Sequence, residues 1–158
     1  MRVEIVNPFI SASVKVLEIH GNKNVNKGTL SLVKSPVPGK DINTIIGVTG
    51  DVNGQVIYCM SKETAQKISS KMLMNLPIDD FDFLAQSAIN ELGNIITGNA
   101  ATDLFKNGFF CKITPPSLII GESIVVSIKD LQIINVPLVT DFGEIAIYVA
   151  LKEEKGSE

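Results

Sequence analysis

Ser87, Glu91, Asn94 and Gly98 follow one another at i, i+4, i+7 and i+11. At about 100° per residue they fall within an arc of roughly 60° on a helix, forming one straight stripe of hydroxyl, carboxylate, carboxamide and bare backbone. The plainest account of such a stripe is a solvated helix face. Two glycines argue for more. Gly93 and Gly98 each weaken a helix by about 1 kcal/mol relative to Ala, so stability alone does not select them. Beside a polar pair, a glycine lets another protein's backbone or active-site rim come close. The stripe is therefore a candidate functional surface.

Other residues able to do chemistry are few. The chain has one histidine, His20, at the expected end of a helix, and two cysteines, Cys59 and Cys111. Their spacing makes no zinc site, no Cys–His pair and no Ser–His triad. Both cysteines lie in apolar runs, so buried thiols in a reducing compartment are expected. The glycine-rich stretch Gly47 to Gly54 lacks the Lys-Ser/Thr of a phosphate-binding loop and reads as a hairpin turn. Asp79, Asp80 and Asp82 sit at a helix start, where capping and solvation account for them better than a metal.

The stripe belongs to a long helix expected from Asp79 to about Asn107. Its apolar arc, Leu84, Ala85, Ala88, Ile89, Leu92, Ile95 and Ile96, should face a sheet. A first amphipathic helix is expected from about Asn7 to Ile19, because Pro8 suits only an early turn. Ser61 should cap a second helix with Ala65, Ile68, Met72 and Leu73 buried. Strands are expected at Thr29–Lys34, Asn43–Thr49, Gln55–Met60, Phe109–Ile113, Ser117–Ile120, Ser123–Ile128, Leu131–Val139 and Glu144–Leu151. The stretch Pro36-Val37-Pro38-Gly39 reads as an exposed turn.

Composition agrees with a sheet-rich core. Hydrophobic residues make up 45% of the 158, with 21 Ile, 15 Val and no Trp, and β-branched side chains favour strands. The expectation is an α+β fold in two layers, helices packed on one face of a mainly antiparallel sheet. One domain is expected over residues 1–152, with a charged tail at 153–158 that should fray. A net charge of −3 disfavours a nucleic-acid or anionic-membrane binder. No signal peptide is evident, and no uncharged run reaches the roughly 20 residues of a membrane span. A cytoplasmic protein is the natural expectation.

The stretch Ser87-Ala88-Ile89-Asn90-Glu91-Leu92-Gly93-Asn94, with Pro115-Pro116 downstream, resembles the signature of the CheC/CheX/FliY phosphatases of bacterial chemotaxis. That signature is a Ser or Asp, then Glu, then Asn three residues later, then a proline. CheC-like members carry two copies, so the single copy and the length resemble the CheX branch. The likeness extends to the N-terminal helix, the Ile46-Gly47-Val48-Thr49-Gly50 hairpin and Ile113-Thr114-Pro115-Pro116, and so covers most of the chain.

The resemblance implies an enzyme that dephosphorylates the aspartyl-phosphate of a CheY-like response regulator. It implies that Asn94 orients the attacking water and that Glu91 pairs with the regulator's active-site lysine, Ser87 and Gly98 shaping the contact surface. Phosphoryl transfer asks mainly for positioning and charge stabilisation, which a carboxamide can help supply without being a strong base. A general-base role for Glu91 is the weaker idea, since a solvated helix face does little to tune a carboxylate. The chain would need no metal or cofactor of its own, because the Mg2+ belongs to the regulator. A homodimer joined through the sheets is also implied, with a CheD-like regulator as a further candidate partner. The alternatives are a non-catalytic dimeric module that binds a receiver or flagellar-switch partner, and a purely structural dimerisation domain.

Overall fold

The computed structural model describes residues 1–154. It opens with α1 (Val3–Ile19), followed by the short strands β1 (Asn26–Lys27), β2 (Ser31–Val33) and β3 (Val37–Pro38). Two long strands, β4 (Ile42–Gly50) and β5 (Val52–Met60), precede helices α2 (Lys62–Met72) and α3 (Phe83–Lys106). The remaining strands are β6 (Cys111–Ile113), β7 (Ser117–Ile120), β8 (Val125–Val126), β9 (Ile133–Thr140) and β10 (Gly143–Glu153).

Every strand pairing is antiparallel. The main sheet runs β1-β9-β10-β5-β4-β6, with β2 also on β9 and β7 also on β4. Strand alternation sorts its side chains onto two faces. Val56, Tyr58 and Met60 of β5, with Ile145, Ile147 and Val149 of β10, share one core with α1, α2 and α3. The fold is the expected α+β arrangement, with the helices on one face. The opposite face is not bare. Ile57, Cys59, Tyr148 and Ala150 pack there with Val37, Ile128 and Ile133, beneath the small β3–β8 ribbon.

That ribbon corrects the reading of Pro36–Gly39 as an exposed turn. Val37 is buried, and the Tyr148 hydroxyl donates to Pro38 O at 2.9 Å. Proline, through its missing N–H, interrupts the pairing at two places, the second of them the expected break at Pro115-Pro116. The expected strand Thr29–Lys34 is shortened to β2, and β1 forms ahead of it. Lys27 pairs with Leu138 and Ser31 with Asn135, so Gly28–Leu30 bulge as three residues opposite Val136 and Pro137. Gly28 N donates to Pro137 O at 2.8 Å, and Pro137 has no amide to return. Likewise Thr114–Pro116 bulge opposite Ile46 and Gly47 between β6 and β7. There the Thr114 hydroxyl accepts from Gly47 N at 2.8 Å.

Helix α1 starts earlier than expected and contains Pro8 beyond its first turn. A proline there leaves the carbonyl four residues back without its amide partner, which is Glu4 O. The side chain of Asn107, just past α3, donates to that carbonyl at 3.3 Å. The lost bond thus becomes a tie between two helices. At the C-terminus, Glu153 of the expected tail belongs to β10, and Arg2 grips it with two hydrogen bonds of 2.7 and 2.8 Å. Residues 155–158 lie outside the described residues.

Candidate active site on helix α3

Asp82 begins the helix. Its carboxylate accepts from Ala85 N at 3.0 Å, satisfying one of the free amides of the first turn. Asp80 likewise accepts from Phe81 N at 2.9 Å. Of the three aspartates Asp82 is the one that caps the helix, which starts at Phe83 rather than Asp79. At the other end Asn107 closes it.

The buried side of α3 is Ala85, Ala88, Ile89, Leu92, Gly93, Ile96, Thr97, Ala100 and Leu104. This shifts the expected apolar arc. Leu84 is 46% exposed and Ile95 only half-buried, while Gly93 and Thr97 turn inward. Gly93 does not open the polar stripe to a partner. It lets the helix settle on the sheet: a Cβ there would stand 3.0 Å from Thr44 Cγ2 and 3.4 Å from Ile46 Cδ1. Gly98 behaves differently, with nothing within 4 Å of where its Cβ would be.

Beneath the stripe lies a buried polar chain. The Thr97 hydroxyl donates to Gly93 O at 2.7 Å. Its single proton is then used, so the Tyr58 hydroxyl, 2.8 Å away, is the donor to Thr97. Burial pushes the Tyr58 phenol up, with the Thr97 hydrogen bond opposing, so it remains a donor at neutral pH. One turn on, Thr102 donates to Gly98 O at 3.1 Å. The polar stripe thus rests on a segment anchored to β5 through Tyr58.

Ser87 and Glu91 are exposed, and Asn94 and Gly98 half-buried, along the outward side of this helix. Among the described residues the side chains of Ser87, Glu91 and Asn94 make no hydrogen bond or ion pair with the rest of the protein. Glu91 and Asn94, three residues apart, have Cβ atoms roughly 5–6 Å from each other. A carboxylate and a carboxamide are thereby presented together, unpaired, on a rigid support. Asn90, which the pattern of the sequence did not single out, lies one turn before Asn94. Its Oδ1 is enclosed without a hydrogen-bond partner; its place immediately before Glu91 was the available signal.

The other candidates remain apart from this surface. His20 caps the end of α1. Cys59 is buried under the opposite face, where burial pushes its thiol up to about 12. Cys111, expected to be buried, is only half-buried at the edge strand β6, because β6 is covered by a neighbour on one side only. Among the described residues no three His, Cys, Asp or Glu converge as metal ligands. No helix among them is long and apolar enough to cross a membrane.

Comparison with known proteins extends these observations. A family model described as "Chemotaxis phosphatase CheX" matches residues 42–139, a span that contains the whole stripe and both prolines after β6. Over 127 residues the chain is 35% identical to the CheY-P phosphatase CheX of Thermotoga maritima, covering 78% of this chain and 80% of that one. Its fold is similar to that of chemotaxis protein CheX from Desulfovibrio desulfuricans, with a TM-score of 0.85, 27% identity and coverage of 96% and 100% of the two chains. It is similar, too, to the CheX of a CheX-CheY-BeF3-Mg2+ complex from Borrelia burgdorferi, at a TM-score of 0.81, 32% identity and the same coverage. With the signature on an exposed helix face and a match over most of its length, this chain belongs to the CheX family of chemotaxis phosphatases.

Proposed function

We propose that this protein is a phosphatase of the aspartyl-phosphate on a CheY-like response regulator, docking the regulator on the outward face of α3. The observation that carries the reading is the unpaired Glu91–Asn94 pair on that face. It is supported by the Thermotoga relative, named a CheY-P phosphatase, and by the Borrelia complex, in which a CheX is bound to CheY.

In this scheme Glu91 pairs with the regulator's active-site lysine and fixes the register of the two proteins. Asn94 enters the phosphorylation site, where its carboxamide holds a water in line with the phosphorus. The water oxygen bonds to phosphorus as the bond to the aspartyl oxygen breaks, giving a free carboxylate and inorganic phosphate. Positioning of this kind can supply much of a phosphoryl-transfer rate enhancement. Mg2+ and the phosphorylated carboxylate are the regulator's, so the chain contributes orientation and one charge. Ser87 and Gly98 border the contact. The working form is a homodimer joined through the sheets of its two subunits, acting in the cytoplasm.

Replacing Asn94 with Ala tests the scheme. The stimulated loss of phosphate from CheY-P should fall about 100-fold or more, with the circular dichroism spectrum and regulator binding retained. An N94A variant as active as the parent would overturn the mechanism. Saturable binding of CheY-P by the parent protein, without any shortening of its phosphate half-life, would instead indicate a binding module.

A further inference from the structure

The first two residues of α3 are apolar and lie in water. Phe83 is 81% exposed and Leu84 46%. Neither is needed to cap the helix, which Asp82 does, and neither joins the core clusters. A large exposed aromatic next to a polar functional row is a recurrent interface anchor.

Their direction matters as much as their exposure. At about 100° per residue, Phe83 projects within about 20° of Asn94 and about 40° of Ser87, and Leu84 within about 20° of Glu91. The apolar pair therefore continues the same row toward the helix N-terminus. With a rise of about 1.5 Å per residue, Phe83 stands about 14 Å from the midpoint of Glu91 and Asn94. An interface of ordinary size covers about 800 Å² per partner, a disc about 16 Å in radius. Centred on Glu91 and Asn94, it reaches Phe83 and Leu84. Phe105, 64% exposed and stacked edge-on with Phe110 at 6.2 Å, lies about 19 Å away along the same helix and falls outside.

We infer that Phe83 and Leu84 are the apolar docking anchor for the phosphorylated receiver, setting its affinity while leaving the register to Glu91 and the hydrolytic step to Asn94. This rests on α3 being the receiver's docking face. The exposed aspartates before the helix, Asp79 and Asp82, with Asp80 paired to Lys62 at 3.5 Å, give the anchor an acidic border. That charge favours a neutral or basic receiver surface at this end and so favours one of the two orientations along the helix.

The test uses the full chain with purified CheY in two forms, one loaded with BeF3− and Mg2+ for equilibrium binding and one phosphorylated for single-turnover hydrolysis. Phe83→Ala combined with Leu84→Ser should raise the Kd for BeF3−-loaded CheY at least tenfold. The hydrolysis rate at saturating enzyme should stay within about twofold of the parent, as expected for a residue that binds ground and transition states alike. Asn94→Ala should do the reverse, and Phe105→Ala should change neither. Because Phe83 and Leu84 lie outside the core, melting curves should report an intact fold. An unchanged Kd in the double variant, with N94A inactive, would overturn the anchor and leave the phosphatase reading standing. Full activity of N94A would overturn the phosphatase reading itself. Weakened self-association of the double variant with unchanged CheY binding would assign the pair to a second copy of this chain, against the proposal.

Discussion

Gly93 and Gly98 occupy the same helix five residues apart, yet an Ala at each should move stability in opposite directions. On helix preference alone, both substitutions gain about 1 kcal/mol. At Gly98 nothing lies within 4 Å of the new Cβ, so that gain should appear in full. At Gly93 the Cβ meets Thr44 Cγ2 at 3.0 Å, Ile46 Cδ1 at 3.4 Å and Tyr58 Cδ2 at 3.6 Å. Thr44 is itself buried on strand β4, and its β-branched side chain has little rotamer freedom with which to yield. The helix must then lift by a few tenths of an ångström, an overpacking strain that costs about 1–3 kcal/mol. G93A should therefore be destabilised by about 0–2 kcal/mol, and the two variants should differ by about 1–3 kcal/mol. Urea unfolding followed by circular dichroism measures this, provided the slopes agree and the shift lies in the midpoints. Equal stabilisation of G93A and G98A would refute the argument, because it would mean that the helix does not rest on Thr44. Any loss of phosphatase activity in the more stable G98A would then report the approach of the partner rather than damage to the fold.

Two further outcomes concern groups away from α3. Asp141 accepts from Lys23 N at 2.9 Å, Asn24 N at 3.3 Å and the Asn24 side chain at 3.2 Å, and these bonds, that from Lys23 N foremost, hold its carboxyl below the usual carboxylate range. A depressed acid contributes stability that is present above its unfolded pKa and is lost as pH falls through the folded one. D141N should consequently melt below the parent at neutral pH, and the gap should narrow as pH falls through the acid range; a gap constant with pH would refute the assignment. Cys59, its thiol pushed up to about 12 by burial, should resist iodoacetamide in the folded protein and react only on unfolding, mass spectrometry showing any labelling at Cys111 first. Labelling of Cys59 under native conditions would show that the β3–β8 ribbon opens.

Two kinds of information divide between chain and fold. Local patterns were legible where one residue's chemistry decides the outcome. Ser61 accepts from Thr64 N at 3.1 Å and caps α2 as its type predicts, and the spacing of Ser87, Glu91, Asn94 and Gly98 is enough to align them once a helix forms. Ile145, Ile147, Val149 and Leu151 alternate along the expected strand Glu144–Leu151, and period two alone gathers them on one face, the one that meets the helices. The partner of a surface was not legible in this way. Pro8 reads as a helix start until Asn107, distant in sequence, supplies a donor for the carbonyl it strands. Pro36–Gly39 reads as an exposed turn until the second face of the sheet covers Val37.

The same division holds for the candidate site. From its residues alone the chain determines that a carboxylate and a carboxamide share one face of a helix, since helical periodicity needs no neighbours. Only the tertiary structure decides which way that helix is turned. Seating Gly93 and Thr97 against Thr44, Ile46 and Tyr58 rolls the buried arc so that Leu84 comes out and the Glu91–Asn94 pair faces water. That rotation follows from close packing and a buried hydrogen-bond chain, which depend on strands β4 and β5, more than thirty residues earlier in the sequence.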